Sequence, residues 1–137
     1  FTALEYRPPK ERPDEAYPLV LTTGRSLFHY HTGTMTRKSK GLNELKAMEE
    51  VELNPQDAKA LGIAEGDRVQ VVSRRGKVPA RAKVTKASPK GVVFMTFHFS
   101  ESATNLLTNP VADPVAKIPE LKVCAVRVEK VTEKAPS

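Results

Sequence analysis

The stretch VELNPQDAKALGIAEGDRVQVVSRRG, residues 51–76, decides the fold because it places a short helix between two short strands. Residues 51–53 and 68–73 are rich in β-branched side chains, which favour strands. The segment between them has the residues of a helix with a defined beginning and end. A helix between neighbouring strands is not typical of a simple meander, so this stretch favours a more complex small β-fold.

The helix in this stretch carries capping residues at both ends. Asn54 is a preferred N-cap residue, and Pro55 suits the first helical position. Asp57 is placed to reach back toward the N-cap, as in a capping box. Gly62 predicts a left-handed residue that stops the helix. The helix is therefore predicted to be short.

The strand predicted after this stretch shows the clearest alternation in the chain. Residues 77–85 alternate between apolar and charged side chains, as a half-buried strand does. The apolar face, which we predict to be buried, consists of Val78, Ala80, Ala82 and Val84. The charged face, which we predict to be exposed, consists of Lys77, Arg81 and Lys83.

Similar residue patterns predict further strands and short helices over most of the chain. Further strands are predicted over residues 17–22, 91–97 and 121–131. Residues 100–107 predict one or two helical turns capped by Ser100, and residues 109–119 predict a proline-rich loop. Six short strands with two small helices favour a closed, mainly β barrel.

The composition fits one compact domain. The chain has 137 residues and a mass of 15.1 kDa, with 39% hydrophobic and 28% charged residues, which is enough apolar material for one core. Its longest apolar runs are four residues, whereas a membrane span needs roughly 20, so no membrane span is predicted. The single cysteine, Cys124, excludes a disulfide framework within the chain.

Three segments are predicted along the chain. Residues 1–16 combine prolines with charged side chains and lack periodicity, which is typical of a linker from a missing upstream region. Residues 17–131 are predicted to form the barrel domain. Residues 132–137 are predicted to be a polar tail.

The net charge of +6 favours an anionic partner, which can be a nucleic acid, an acidic protein or a phosphate-bearing small molecule. Two basic clusters, Arg74-Arg75 with Lys77 and Arg37-Lys38 with Lys40, are interpreted as solvated faces, with Arg75 in a solvated hairpin turn. Proteins that bind single-stranded nucleic acid stack bases on aromatic side chains. Only 6% of the residues are aromatic and tryptophan is absent, so nucleic-acid binding is disfavoured.

The segment TGRSLFHYHTGTMTRKS, residues 23–39, holds the highest density of groups that bind anions. Its glycines allow the backbone to approach a ligand closely, and successive N–H groups can cradle an anion. Arg25 can bind a phosphate through two hydrogen bonds. The segment is therefore either a phosphate or nucleotide loop or a plain solvated connection, and the residues alone leave both readings open.

The histidines and the cysteine do not predict a metal site or a nucleophile. His29 and His31 have the spacing of two ligands on one face of a strand, but zinc sites need three or four ligands. Beyond these two histidines the chain offers only His98, Cys124 and scattered carboxylates. Cys124 lies in an apolar strand, where a free cysteine usually behaves as a small core residue. We therefore predict no metal ligand and no catalytic residue in this chain.

Four stretches together resemble a known family. They are residues 23–39 and 51–76, quoted above, GVVFMTFHFSESATNLLTN (residues 91–109) and DPVAKIPELKVCAV (residues 113–126). In this order they resemble the C-terminal domain of the dimethyl sulfoxide reductase family of molybdopterin-dependent oxidoreductases, and most of all the formate dehydrogenase catalytic subunit. The resemblance implies a six-stranded double-psi β-barrel that covers a bis(molybdopterin guanine dinucleotide) cofactor carrying Mo or W.

The resemblance also implies which residues bind this cofactor. The first group follows the first strand and consists of Thr23, Gly24, Arg25, Ser26, Leu27, Phe28, His29, Tyr30, His31 and Thr32. Three later positions match the family as well, namely Phe97 near the substrate side, Asn105 and Lys122. From the residues alone, Asn105 is equally a helix-end cap and Lys122 a surface strand residue. All these positions hold chemically suitable side chains.

The family's metal ligand, neighbouring histidine and iron–sulfur cysteines lie upstream and have no match in this chain. The resemblance thus implies a cofactor-binding domain that does not itself perform the redox step. Its implied partners are the rest of the catalytic subunit and electron-transfer subunits, and we expect a cytoplasmic location with a periplasmic one left open. The alternatives are the same domain of a nitrate reductase or formylmethanofuran dehydrogenase, or a free-standing basic barrel that binds nucleic acid or protein.

Overall fold

The computed structural model describes residues 1–131, and within them six β-strands close into a barrel. In chain order the strands are β1 (Leu19–Gly24), β2 (Glu50–Leu53), β3 (Arg68–Val72), β4 (Lys77–Val84), β5 (Val92–Thr96) and β6 (Cys124–Lys130). Around the barrel the order is β1-β5-β2-β4-β3-β6. The helical elements are α1 (Lys40–Leu45), α2 (Pro55–Ala60) and three 3₁₀ turns, Thr36–Lys38, Ser100–Ser102 and Thr104–Leu106.

The strand pairing combines two parallel pairs with four antiparallel ones. Strand β1 pairs in parallel with β5, and β2 pairs in parallel with β4. The four antiparallel pairs, β1–β6, β2–β5, β3–β4 and β3–β6, close the ring. Parallel neighbours require connections that cross the barrel end, so the chain cannot be a meander. The predicted double-psi β-barrel is confirmed.

The core is built from the inward faces of all six strands. In β4, Val78 and Ala82 are buried, and Ala80 and Val84 are partly buried against the same core. Lys77 and Arg81 are exposed, as predicted, but the prediction for Lys83 is wrong, because Lys83 is half-buried by its ion pair with Glu52 at 3.0 Å. Cys124 is 1% exposed and belongs to the same core, and burial raises the pKa of its thiol to about 11. Cys124 is therefore a small core residue, as predicted.

Helix α2 begins and ends where the sequence predicts, but one of its contacts differs. The Asn54 side chain accepts a hydrogen bond from the Gln56 N–H at 2.9 Å, and Gly62 is left-handed with φ 66°. The predicted capping-box role of Asp57 is wrong. Its carboxylate instead accepts the Gly91 N–H at 2.6 Å and so ties α2 to the turn before β5.

Other element boundaries also depart from the prediction. Strand β6 begins at Cys124 rather than at residue 121, and helix α1, with Gly41 in its first turn, was not predicted. Ser100 does not cap the turn that follows, because Phe99 occupies the N-cap position and no side chain caps it. The predicted polar tail, residues 132–137, lies outside the described residues.

Residues 1–16 form no helix or strand, yet two side chains of this segment contact the barrel, Asp14 through an ion pair with Arg74 and Glu11 through three hydrogen bonds. The Glu11 carboxylate accepts two hydrogen bonds from Arg75, at 2.5 and 2.9 Å, and one from the Ala125 N–H at 2.7 Å. Arg75 also donates to the Leu107 carbonyl at 2.7 and 3.0 Å. The predicted solvated position of Arg75 is therefore wrong. The fold places this turn residue in contact with the Glu11 carboxylate, which lies 64 residues away in the sequence. The hydrogen bonds from Arg75 hold the pKa of Glu11 below its usual value.

We predict that Glu11→Ala lowers the free energy of unfolding of the chain by about 2–3 kcal/mol, since it leaves the half-buried Arg75 without a counter-charge and the Ala125 N–H without an acceptor. Urea denaturation measures this change. Glu5→Ala is the control, because Glu5 is exposed and has no contact within residues 1–131. Equal denaturation midpoints for the two variants would contradict the prediction.

Candidate functional site

Three chain segments meet at one end of the barrel. Because β1 and β5 are parallel, the segments that follow Gly24 and Thr96 leave the barrel side by side. Strand β6 runs antiparallel to β1 with Leu21 opposite Cys124, so the residues before β6 lie at the same end. A cavity of about 240 Å³ opens there, lined by Thr23, Arg25, His31, Thr32, Phe97, Asn105, Leu121 and Lys122.

Hydrogen bonds fix the wall that joins β1 to the segment before β6. The Thr23 hydroxyl donates to the Leu121 carbonyl at 2.8 Å, and the Lys122 ammonium donates to the Thr23 carbonyl at 2.6 Å. The Lys122 Nζ atom also lies 5.9 Å from the centre of the Phe97 ring. Lys122 is therefore held at the rim of the cavity, and its charge faces an aromatic wall.

Two polar side chains in the cavity have no partner within residues 1–131. The exposed guanidinium of Arg25 forms no hydrogen bond or ion pair there, and neither does the Asn105 side-chain amide. Asn105 lies inside the turn Thr104–Leu106, and its side chain caps no helix end. Arg25 supplies a free charge and Asn105 supplies both donors and an acceptor, which together suit a polar anionic ligand.

The loop after β1 contains several backbone N–H groups that no acceptor among residues 1–131 uses. The Phe28 and Tyr30 N–H groups donate to the hydroxyls of Ser26 and Thr36, at 3.3 and 3.1 Å. Within the described chain no acceptor faces the N–H groups of Arg25, Ser26, Leu27, His29, His31 and Thr32. Several free N–H groups beside an arginine and a lysine fit phosphate oxygens.

His31 adopts a backbone conformation that a non-glycine residue rarely holds. Its φ is 51°, and the Gly33 N–H donates to the Tyr30 carbonyl across the turn at 2.9 Å. Such a conformation costs of order 1 kcal/mol and is found most often at ligand clamps and active sites. The His31 ring meets the Phe97 ring edge to face at 5.6 Å, so this turn brings the imidazole to the cavity wall.

A second cleft lies on the other side of the same loop. Ser26, Leu27 and Phe28 line it together with Arg25. Gly24 lines neither cleft but is packed against Phe94, whose ring lines this one, so a Cβ atom at position 24 would overlap the ring. Leu27 is 92% exposed, so this part of the loop presents an apolar side chain outward.

His29 and Tyr30 do not line the cavity. His29 is 2% exposed and packs beneath the loop, whereas Tyr30 is 66% exposed on its outer side. Seven of the thirteen residues expected to bind the cofactor therefore meet in one cavity, namely Thr23, Arg25, His31, Thr32, Phe97, Asn105 and Lys122. Within residues 1–131 no group of three or more His, Cys, Asp or Glu side chains is arranged to hold a metal ion.

Sequence reasoning missed two residues of this end of the barrel. Leu121 lines the cavity, but an isolated leucine before a strand gives no signal of that role. Thr36 accepts the Tyr30 N–H and lies 3.2 Å from the Nδ1 atom of His29. It belongs to the threonine-rich stretch, but nothing distinguishes it there from its neighbours in sequence.

The fold is a closed double-psi barrel, and the cavity at one end is lined by two cationic side chains, Arg25 and Lys122, which suit an anionic ligand. Residues 19–125 match the family described as molydopterin dinucleotide binding domain, and the chain belongs to this family.

Two named relatives are similar in sequence to almost the whole of this chain. The chain is 56% identical over 128 residues to the F420-dependent formate dehydrogenase subunit alpha of Methanocaldococcus jannaschii. It is 53% identical over 129 residues to the F420-dependent formate dehydrogenase 1 subunit alpha of Methanococcus maripaludis. These matches cover 93% and 94% of this chain but 19% of each relative. The chain therefore corresponds to about a fifth of these subunits.

The solved structure of acetylene hydratase from Pelobacter acetylenicus has a similar fold. The two chains superpose with a TM-score of 0.73 at 18% sequence identity, over 84% of this chain and 18% of the hydratase. This likeness concerns the fold alone.

No helix among residues 1–131 is long and apolar enough to cross a membrane.

A buried carboxyl, that of Glu49, links two strands at the end of the barrel where the cavity lies. Glu49, just before β2, is 3% exposed, and its side chain accepts hydrogen bonds from the N–H and hydroxyl of Thr96, both at 3.0 Å. Burial raises the pKa of Glu49 to about 7, although the bonds from Thr96 and the nearby Lys46 favour its ionised form. Glu49 thus ties β2 to the end of β5.

We predict that this carboxyl makes the chain less stable as the pH rises. The folded state binds the proton more tightly than the unfolded state, whose glutamates titrate near 4.5, so stability is lost from about pH 4.5 to pH 7. Glu49→Gln should therefore stabilise the chain relative to wild type by up to about 3 kcal/mol at pH 8 and by little at pH 4.5.

Denaturant titrations of both proteins at the two pH values measure this difference. Glu44→Gln is the matched control, since Glu44 is exposed and has no contact among the described residues. A Glu49→Gln variant whose stability follows the wild-type pH dependence would show that Glu49 titrates normally.

Proposed function

We propose that this chain is the cofactor-binding domain of a molybdopterin-dependent formate dehydrogenase and covers a bis(molybdopterin guanine dinucleotide). One observation carries the proposal. Residues from three separate segments of a molydopterin dinucleotide binding domain line one cavity. That cavity holds a lysine, together with an arginine and an amide whose side chains have no partner among residues 1–131. The residues present fit a ligand with phosphate and pterin oxygens.

In this proposal each group of the site has a binding role. Arg25 neutralises phosphate charge through paired hydrogen bonds, and the free backbone N–H groups of residues 25–32 donate to further oxygens. Lys122, fixed on the Thr23 carbonyl, adds a second positive charge. Asn105 offers donors and an acceptor to the ring system of the pterin. Phe97 excludes water from the side on which the resemblance places the substrate.

The metal of the bound cofactor supplies two-electron redox chemistry, and this chain supplies none of the metal's ligands in our proposal. We infer that the metal ligand and an iron–sulfur cluster belong to the remaining four fifths of a longer subunit. Formate is the substrate we propose, because both named relatives are formate dehydrogenases. Their names also suggest that coenzyme F420 accepts the electrons, by way of electron-transfer subunits. Mo or W as the metal and a cytoplasmic location stay predictions.

We predict that Arg25→Ala weakens cofactor retention by the complete subunit about 10- to 100-fold, the loss of one desolvated charge-assisted contact. The measurement is the amount of metal and of released guanine nucleotide per polypeptide, followed during dilution and gel filtration. Arg75 is unsuitable as a control because it bonds to Glu11 and Leu107.

Arg7→Ala is the matched control, because Arg7 is exposed and has no partner in the part of the chain that the structure describes. Equal retention by the Arg25 and Arg7 variants would place the phosphate site elsewhere.

We also predict that the isolated chain folds but does not oxidise formate, because its proposed role is binding alone. Circular dichroism and cooperative urea denaturation test folding, and formate-dependent reduction of a viologen dye tests activity. Dye reduction by the pure chain, at a rate that scales with its concentration, would overturn the binding-only role.

A further inference from the structure

Two buried histidines pack against each other beneath the loop that follows β1. His29 comes from this loop and His98 from the segment after β5, and they are 2% and 3% exposed. Their rings stack with centroids 4.6 Å apart and planes 25° from parallel. The His98 ring also contacts the Phe99 ring, with centroids 3.9 Å apart. The pair joins two segments that both supply residues to the cavity lining.

Hydrogen bonding does not explain why these rings are buried. His29 Nδ1 lies 3.2 Å from the Thr36 hydroxyl. His29 Nε2 and both ring nitrogens of His98 have no partner in the described chain. A buried polar atom without a partner costs free energy, so aromatic contact is what holds the rings together. A protonated ring would add a further buried donor and a charge.

We propose that His98 is a positioning residue, whose neutral ring stacks on His29 and holds residues 25–37 in the shape that presents Arg25 and the free N–H groups to the cavity. This inference rests on the proposed function, because it assigns the loop to the cofactor. His98 does not line the cavity itself and acts through His29.

The charges around His98 favour its neutral form. Arg37, from the loop, is paired with Glu101 at 2.6 Å, and its guanidinium lies 5.1 Å from the Phe99 ring centre. Lys46, from the segment after α1, is a second cation that acts on His98, and the carboxylate of Glu101 acts on it in the opposite direction. Burial, His29 and these two cations lower the pKa of His98 to about 4.

This environment gives the loop a defined response to acid. If residues 25–37 moved away from His98, its ring would be exposed to solvent and its pKa would be near the usual 6.5. We call this the lifted state of the loop. Between about pH 6.5 and pH 4 the lifted state therefore binds a proton more readily than the packed state. Lowering the pH across this window shifts the loop toward the lifted state, and the shift disappears when residue 98 cannot be protonated.

Amide hydrogen exchange of residues 25–37 in the complete subunit tests the proposal, with rates corrected for the intrinsic effect of pH. At pH 7, His98→Ala should increase exchange of this segment about tenfold, the scale of one lost aromatic pair. His98→Phe should restore wild-type exchange, because phenylalanine keeps the stack and loses no hydrogen bond. From pH 7 to pH 5 exchange should rise in the wild type and stay constant in His98→Phe.

Met35→Ala serves as the control, because Met35 lies in the same loop with a side chain that is 67% exposed. It should leave exchange of the neighbouring residues unchanged. Retention of metal and guanine nucleotide, measured on the same samples, should fall for His98→Ala and recover for His98→Phe.

Two results would overturn the proposal. One is wild-type exchange in His98→Ala, and the other is a His98→Phe variant that keeps the wild-type response to acid. If His98→Ala does not fold, the pH response of His98→Phe still decides. A wild-type subunit that carries no pterin cofactor would refute the proposed function, whereas the exchange data would still decide whether His98 positions the loop.

Discussion

The parallel ladder between β1 and β5 is the constraint on which the rest of the site depends. It pairs Thr23 with Met95 and Gly24 with Thr96, so two segments far apart in sequence leave the barrel at the same end. The cavity wall at Phe97 and the His29–His98 stack follow from this register, whereas the Glu49–Thr96 bonds follow from the antiparallel pairing of β2 with β5. A shift of one residue would turn every side chain of β5 to the opposite face, and the two walls would no longer meet.

Some basic residues hold the domain together, whereas two others line the cavity. Arg75 binds Glu11, Arg37 binds Glu101, and Arg74 stacks on Tyr17 with its guanidinium 4.7 Å from the ring centre. Arg25 and Lys122 line the cavity. The net charge of +6 therefore does not show which cations meet a ligand, because position in the fold decides it.

Two buried titratable groups next to β5 respond to pH in opposite directions. Glu49 favours the folded state at low pH because burial raises the pKa of its carboxyl, whereas His98 favours it at higher pH because burial lowers the pKa of its imidazole. Between about pH 4.5 and 6.5 the two effects oppose each other. The contributions of Glu49 and His98 to the pH dependence of stability therefore have opposite signs in this interval.

The sequence by itself determined the strands, the helix start at Asn54, the stop at Gly62 and the stretch that supplies the loop, because these depend on residues close together in the chain. It also gave the family, through the order of four motifs. Only the tertiary structure decided that Arg75 binds Glu11, that Asp57 binds Gly91 rather than its own helix, and that His29 is buried against His98. These contacts join residues 34 to 69 positions apart, so no local pattern encodes them and only the closure of the barrel brings the partners together.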